Sequence, residues 1–360
     1  MNLTAQTKLL PTPEQTNLLK CTIERANAAC NYISERAWEE KTFRQYDLHR
    51  LVYYEARERF GLSAQMTVRC ISKVAAAYKL DKERKRTFKL RGAIAYDGRI
   101  LRYKLDKAEV SIWTLGGRQS VPFTCGMKQW ELLLSQKGES DLVYRRGKFY
   151  LLATCDVEEA VPMEPEGVLG VDLGVRNIAV DSDGEIFSSE CLNRVRANYR
   201  WLRAKLQCIG TKSARRLLRH LSGKEARFAK DTNHRISKQI IAKAEGTLRA
   251  IALEDLSGIA KRVTVRRRQR ATLHSWSFSQ LRAFVEYKAQ RAGIPVFLVD
   301  PKNTSRTCPF CGHVDKRNRS SQETFSCVAC GFAGLADHIA AENIRWAAVN
   351  QPNASDAANG

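Results

Sequence analysis

Cys308-Pro-Phe-Cys311 and Cys327-Val-Ala-Cys330 stand fifteen residues apart near the C-terminus, and Asp337 follows the last cysteine by seven. Two Cys-x-x-Cys knuckles at this separation can set four thiolates tetrahedrally about one Zn²⁺, and a closed four-sulfur shell leaves no open position for substrate. A zinc ion held by Cys308, Cys311, Cys327 and Cys330 is therefore expected to be structural. Gly312 and Gly331 directly follow the second cysteine of each pair, where a tight knuckle calls for backbone freedom. The acid behind the knuckles asks for a different account.

The 360 residues carry 60 Lys and Arg against 38 Asp and Glu, a net charge of +22. Such an excess points to a polyanionic partner, nucleic acid first. An anionic membrane surface is the rival, but the chain has no uninterrupted apolar run near 18 residues and no separate basic amphipathic segment, so no membrane partner is expected. The opening Met-Asn-Leu-Thr-Ala-Gln-Thr-Lys lacks the apolar stretch of a signal peptide, and a cytoplasmic, nucleoid-associated protein is expected. The 44% hydrophobic content sustains a sizeable core, and the length suggests two or three domains. Seven more cysteines (Cys21, Cys30, Cys70, Cys125, Cys155, Cys191, Cys208) have no paired spacing and read as small core hydrophobes in a reducing compartment.

The pattern upstream predicts a multidomain α+β and α/β chain. Residues 1–10 hold a strand, and Thr12-Pro13-Glu14-Gln15 forms a capping box that starts a helical block over 11–86. Leu19, Ile23, Ala26, Cys30, Ile33 and Ala37 recur at helical spacing there. Over 87–158 short alternating runs punctuated by Asp97-Gly98, Gly116-Gly117 and Arg146-Gly147 predict hairpins of a small antiparallel barrel that the opening strand can join. Residues 159–166, with Pro162 and Pro165, read as a linker. A third pattern fills 167–300: a three-strand meander, helices over about 192–245, an apolar strand at 249–254 and a helix ended by Gly293. The knuckle module follows over 301–336, then a last helix over 337–349. Residues 350–360 are expected to be disordered.

Three acids fall at element ends. Asp172 closes Val168-Leu169-Gly170-Val171, with Gly174 just beyond, and Glu254 closes Ile251-Ala252-Leu253. Asp337 opens the last helix. If the two strands are neighbours and the helix crosses them, the three carboxylates converge, and hard oxygen ligands of this kind suit Mg²⁺. Each acid also has a plainer reading: a turn residue for Asp172, an exposed partner beside Asp255 for Glu254, a helix N-cap for Asp337. Asp181, Asp183 and Asp300 read as turn acids.

At this point the residues resemble a known family. Gly170-Val171-Asp172-Leu173-Gly174-Val175-Arg176-Asn177 is similar to the first RuvC-type nuclease motif and Leu253-Glu254-Asp255-Leu256 to the second. Asn303-Thr304-Ser305-Arg306-Thr307-Cys308, the knuckles and Asp337-His338-Ile339-Ala340-Ala341-Glu342-Asn343-Ile344 resemble the zinc ribbon and third motif of TnpB proteins of bacterial insertion sequences. The order and nesting match as well. The resemblance implies an RNA-guided DNA endonuclease with a helical recognition lobe, a wedge-like barrel and a RuvC-like domain of RNase H fold with an inserted four-cysteine zinc ribbon that binds target nucleic acid. It implies a guide noncoding RNA and double-stranded DNA as partners, two Mg²⁺ ions on Asp172, Glu254 and Asp337, and one Zn²⁺ on the four cysteines. Ile339 departs from the asparagine common in the family. Miniature type V CRISPR effectors share these motifs, and a guide-bound regulator without cleavage is a further alternative. Residues 194–235 hold thirteen Lys and Arg against Glu225 and Asp231, with Trp201 and Phe228 interleaved. Arg215, Arg216 and Arg219 there, Arg266, Arg267 and Arg268 after Glu254, and Arg306 beside the ribbon are candidate backbone contacts. His338 reads as a helix surface residue.

Overall fold

The computed structural model describes residues 1–174, 176–256 and 278–350. The basic loop with Arg266, Arg267 and Arg268, and the tail beyond residue 350, lie outside the described residues. The chain divides into two compact units, residues 1–158 and those from 159 on.

In the first unit, Thr12 starts α1 (Pro13–Glu39) through a closed capping box. Its hydroxyl accepts the Gln15 amide and the Gln15 side chain accepts the Thr12 amide. The helix buries Leu19, Ile23, Ala26, Cys30, Ile33 and Ala37, the face its spacing predicts. A break at 40–44, unsignalled in the sequence, leads to α2 (Gln45–Phe60); Gly61 then ends that helix in the left-handed region, and Ser63 caps α3 (Ala64–Leu80).

Seven strands follow the helices or precede them: β1 (Asn2–Leu9), β2 (Ile94–Tyr96), β3 (Leu101–Lys104), β4 (Glu109–Thr114), β5 (Gly117–Thr124), β6 (Gln136–Arg145) and β7 (Lys148–Asp156), with α4 (Met127–Leu134) between β5 and β6. Their order is β2-β6-β7-β1-β5-β4-β3, so the opening strand lies at the centre. Consecutive β2 and β3 occupy opposite edges of this order although only residues 97–100 separate them. The sheet must therefore curl until its edges approach, which makes it a nearly closed barrel. Asp97-Gly98 is accordingly the corner of the barrel and does not join paired strands as its turn signature predicts. The Asp97 carbonyl accepts the Ile100 and Leu101 amides, and Tyr96 Oη donates to the Trp113 carbonyl of β4. Arg146-Gly147 does join paired neighbours, both residues at positive φ, as a two-residue hairpin demands. One continuous core unites helices and barrel, with Ile23, Cys30 and Val74 beside Val110, Leu142 and Leu151.

The second unit is built on β8 (Gly167–Asp172), β9 (Asn177–Asp181), β10 (Ile186–Ser188), β11 (Arg249–Glu254) and β12 (Val296–Val299). The order is β10-β9-β8-β11-β12: an antiparallel meander, then β8, β11 and β12 in parallel. Helices α5 (Glu190–Ile209), α6 (Lys212–Leu221), α7 (Lys224–Gly246), α8 (Phe278–Ala292) and α9 (Ala336–Asn350) complete it, with the hairpin β13 (Thr324–Ser326) and β14 (Ala333–Leu335). Strand alternation divides the sheet cleanly. Leu169, Val171, Ile251 and Leu253 meet Ile240 of α7 and Val285 of α8, whereas Val168, Ala252 and Val299 pack with Ile344 of α9. Gly170 shows how closely α9 lies on the strand: a Cβ there would fall 2.1 Å from the Ala341 carbonyl and 2.7 Å from the Arg345 amide nitrogen. Among the described residues, no helix is long and apolar enough to cross a membrane.

Two readings of residue environment are corrected. Of the seven scattered cysteines, only Cys30, Cys70 and Cys155 are buried; Cys125 is half-buried and Cys21, Cys191 and Cys208 are exposed, because they fall on solvent faces of their segments. Phe228 is not an outward aromatic but packs partly buried against the core between sheet and helices.

Candidate functional site

The two knuckles repeat one backbone design. The Cys308 amide donates to the His313 carbonyl and the Gly312 amide to the Cys308 carbonyl; in the second knuckle Cys327 and Gly331 do the same with Phe332 and Cys327. Gly312 at φ +72° and Gly331 at φ +74° occupy the left-handed region that glycine enters without a Cβ clash. Buried Asn318 ties the knuckles together. Its amide nitrogen donates to the Arg306 and His313 carbonyls, and its oxygen accepts the Val328 amide.

All four sulfurs lie within 4.8 Å of one another, with Cys308 to Cys330 and Cys311 to Cys327 each at 3.6 Å. Sulfurs tetrahedrally placed about 2.3 Å from a zinc ion are roughly 3.8 Å apart, so the cage fits Zn²⁺ as it stands. The protonation pattern points the same way. The Phe332 amide lowers Cys330, yet burial and the neighbouring sulfurs of Cys311, Cys327 and Cys308 push it up to about 12. Cys327 goes the other way: burial raises it, but the amides of Cys330 and Ala329 and the adjacent thiols bring it down to about 6. Four sulfurs this close cannot all ionise unaided, and a dication would resolve that conflict.

The carboxylates are assembled from far-apart sequence. The last register pair of β8 and β11 is Val171 with Leu253, so Asp172 and Glu254 come next, at the ends of adjacent parallel strands. Since Val171 and Leu253 face α7 and α8, Asp172 and Glu254 face α9, whose first turn carries Asp337. Both conditions for convergence hold: the strands are paired and the helix crosses them. Burial first, then the charges of Glu254 and Asp337, hold Asp172 well above the ordinary carboxylate range, with Arg319 pulling the other way. Burial also raises Glu254; the Thr304 hydroxyl, which donates to its Oε1, and Arg319 oppose that. Glu254 is the inward member of its pair, 9% exposed, while Asp255 reaches Arg282 at 2.6 Å. Asp337 accepts Asn177 Nδ2 at 2.9 Å and Arg319 Nη2 at 3.2 Å. Among the described residues, the cysteines are the one group of three or more metal-capable side chains whose donor atoms gather within 4.8 Å. The three acids share a face and a field without being drawn that close.

Asp181, Asp183 and Asp300 serve turns. Buried Asp181 accepts the Asp183 and Glu185 amides and pairs with Lys243, Arg249 holds Asp183 through two hydrogen bonds, and Asp300 accepts the Lys302 amide. Sequence reasoning gave no role to Arg319, Thr304 or Asn177. Arg319 carries no sequence signal, being one of several basic residues in the ribbon; Thr304 and Asn177 lie inside quoted motifs, but their partners are distant in the chain. Ile339 is buried with Cys308, Phe325, Cys327 and Ala336, and with Ala336 it seats α9 on the ribbon core. His338 is partly buried, its Nδ1 3.4 Å from the Asp181 carbonyl.

Arg215, Arg216 and Arg219 are exposed on α6, and Arg306 is exposed beside the first knuckle. Part of the surrounding basic excess is internal: Arg196 is buried 4.0 Å from Glu225, which also pairs with Arg203. Trp201 is 64% exposed, with Lys205 Nζ 5.1 Å from its ring centre.

Two family models match the chain: "Probable transposase" over residues 153–258 and "Cas12f1-like, TNB domain" over 278–344. The TnpB-like protein MJ0751 of Methanocaldococcus jannaschii is 31% identical over 195 residues, covering 51% of this chain and 69% of the relative. The CRISPR-associated endodeoxyribonuclease Cas12f1 of Sulfoacidibacillus thermotolerans is 40% identical over 131 residues, 35% of this chain and 29% of its own length. The putative RNA-guided DNA endonuclease InsQ of Escherichia coli is 26% identical over 220 residues, 55% of this chain and 53% of its own. The chain thus spans about half or less of the Cas12f1 and InsQ relatives. Its fold matches a Cas12f1 solved in complex with sgRNA and target DNA at a TM-score of 0.63 and 17% identity, over 93% of this chain and 83% of that one.

Proposed function

The chain belongs to the TnpB-like family, and from that premise we propose that it is an RNA-guided DNA endonuclease of a transposable element, cutting phosphodiesters on the face that carries Asp172, Glu254 and Asp337. The observation that carries this reading is the convergence itself: two acids at the ends of paired parallel strands and a third in the first turn of the helix crossing them. The strand order β10-β9-β8-β11-β12 with helices on both faces supports a RuvC-type domain of RNase H fold over 167–300, interrupted by a structural Zn²⁺ ribbon over 301–336 and completed by the last helix. Residues 11–86 then form the recognition lobe, and 1–10 with 87–158 the wedge barrel.

Asp172, Glu254 and Asp337 are the residues that would hold two Mg²⁺ ions. Their hard oxygens suit that ion, and the burial and mutual repulsion that lift Asp172 are what a bound cation would offset. Magnesium keeps waters and takes further ligands from phosphate, so the acids need not all contact one ion. When bound, such ions polarise the scissile phosphate and activate a water. The chain's own residues do the positioning. Thr304 fixes one oxygen of Glu254, Asn177 and Arg319 fix both oxygens of Asp337, and the Arg319 guanidinium brings positive charge to a face where phosphate must settle. No side-chain nucleophile is required. The exposed Arg215, Arg216, Arg219 and Arg306 would track nucleic-acid backbone by charge.

The test begins with sequencing RNA that copurifies with the protein, followed by cleavage of a duplex matching its guide segment. Mg²⁺-dependent cutting lost in Asp172→Ala and in Glu254→Ala is the expected result; activity that survives either substitution refutes the site. The 40% identity to a Cas12f1 nuclease favours one second reading, a miniature type V effector. A noncoding RNA overlapping the protein's own gene supports the transposon reading, repeat-derived guides the other, and tight binding without cutting would support a regulator.

A further inference from the structure

Beside the carboxylates lies a cavity of about 220 Å³ bounded by Val180 of β9, Ile186 of β10, Leu335 of β14, Asp337 and His338 of α9, and Arg176 from the turn after β8. Nothing in phosphodiester chemistry on the acids calls for it. Its exposed lining is chiefly apolar, and its polar groups are the His338 imidazole, the Asn177 amide, the Arg176 guanidinium and the Glu323 and Asp337 carboxylates. A Cβ at Gly184, which is in the left-handed region, would sit 3.8 Å from the His338 ring, in van der Waals contact, so the glycine keeps a side chain off that edge of the ring. Arg176 pairs with Glu323 of the ribbon, yet both are more than half exposed, so little free energy is lost if Arg176 turns to another partner. An occupant that suits this cavity is flat, apolar on its faces and polar on its rim. Because the cavity shares Asp337 with the candidate active face, that occupant must also lie next to a phosphate held there.

We propose that the cavity receives the nucleobase next to the phosphodiester being cut, turned out of its stack and held between Val180, Ile186 and Leu335 with its polar edge toward His338 and Arg176. This rests on the nuclease reading above and deepens it: the site reads one nucleotide at the cut itself. Extruding that base also pulls the adjoining phosphate out of the regular backbone path and toward the acids.

The test uses the full chain with its copurified RNA and matched duplexes carrying a single abasic residue at successive positions around the cut. At one position, loss of the base is expected to slow cleavage about 10-fold or more, the size of a lost stacking contact. Ile186 lies outside the acidic face, and Ile186→Trp fills the cavity. It should cut the intact duplex as slowly as the wild type cuts that abasic one, with no position dependence left, while Ile186→Ala keeps the dependence. A second readout needs no cleavage: a short single strand with 2-aminopurine at that position, in Ca²⁺, should gain fluorescence on binding the wild type, as the base leaves its stacked neighbours for aliphatic walls, and show no such gain with Ile186→Trp. Cutting that tolerates every abasic position equally overturns the subsite and leaves the nuclease reading standing. A position-specific fluorescence gain abolished by Ile186→Trp in a protein that does not cut does the reverse. Neither signal overturns both.

Discussion

The sulfur cage and the carboxylate face are two metal-capable groups built on opposite plans. The cage comes from 23 consecutive residues, Cys308 to Cys330, with two matching turns and sulfurs already near tetrahedral spacing. The face draws on residues 165 positions apart and keeps its carboxylates farther from one another, with Arg319 among them in the field they share. A closed cage holds its ion and excludes substrate; a face whose charges remain unresolved leaves room for ions, water and phosphate. The two are joined through Ile339 and Asp337, neighbours but one on α9, the first in the ribbon core and the second in the face.

Breaking the face should have the largest effect. Asp172→Asn is expected to lower cleavage roughly 10²–10³-fold or more. Because burial and two neighbouring acids disfavour its charged form, the substitution should also raise the melting temperature without added Mg²⁺ as pH rises through the raised titration of Asp172, by about 2–4 °C per kcal/mol of relief. A lower melting temperature would mean that the carboxylate is not strained. Cys327→Ser breaks the cage. Zinc content by mass spectrometry should drop well below one per chain and cleavage about 10–100-fold, since Asp337 loses the ribbon that aims it; unchanged Mg²⁺-dependent cutting in zinc-poor protein would show that cage and face are independent. Gly170→Ala strikes the contact beneath the face, forcing a methyl against the Ala341 carbonyl, and should cost about 1–3 kcal/mol by thermal melting with a parallel loss of cutting. Thr304→Val sharpens the comparison further: with Glu254 lacking its donor, cleavage should fall about 10-fold while zinc content stays unchanged. The smallest effect concerns a bystander acid. Arg249 and Lys243 hold Asp183 below the ordinary carboxylate range, so its contribution is present above that range and is lost as pH falls through it. Asp183→Asn should flatten the acid limb of the melting profile slightly and leave cutting intact, the pair being partly exposed.

Local signals were readable wherever the determinant was local. The strand over 249–254, the Thr12 capping box and the Arg146-Gly147 hairpin are set by residues within a few positions of each other, and the structure has them. The Asp97-Gly98 corner looked like any other turn, because whether a turn joins paired strands or closes a barrel depends on partners dozens of residues away. Strand β5 and helix α4 carry weak sequence signals: one mixes polar residues into a faint alternation, the other is a single short run. In the candidate site, Asp172, Glu254 and Asp337 announce themselves at element ends. Arg319 does not, since its meaning comes only from the fold that carries it to Asp337. Glu254 and Asp255 were indistinguishable in sequence until alternation against Leu253 settled which faced inward.

The separation of Asp172 from Asp337 also sets an order of events in time. Closing the 22-residue span of the cage and the 165-residue span of the face differ by about 1.8 kcal/mol in chain entropy, and parallel pairing of β8 with β11 adds a further long-range step. The ribbon can therefore take up its ion early, on local contacts alone, while the face waits for the sheet to form and for α9 to settle over Gly170. On the nuclease reading proposed above, a chain that had captured zinc but not yet docked that helix would be an inert precursor. Hydrolytic competence would then arrive only with that packing.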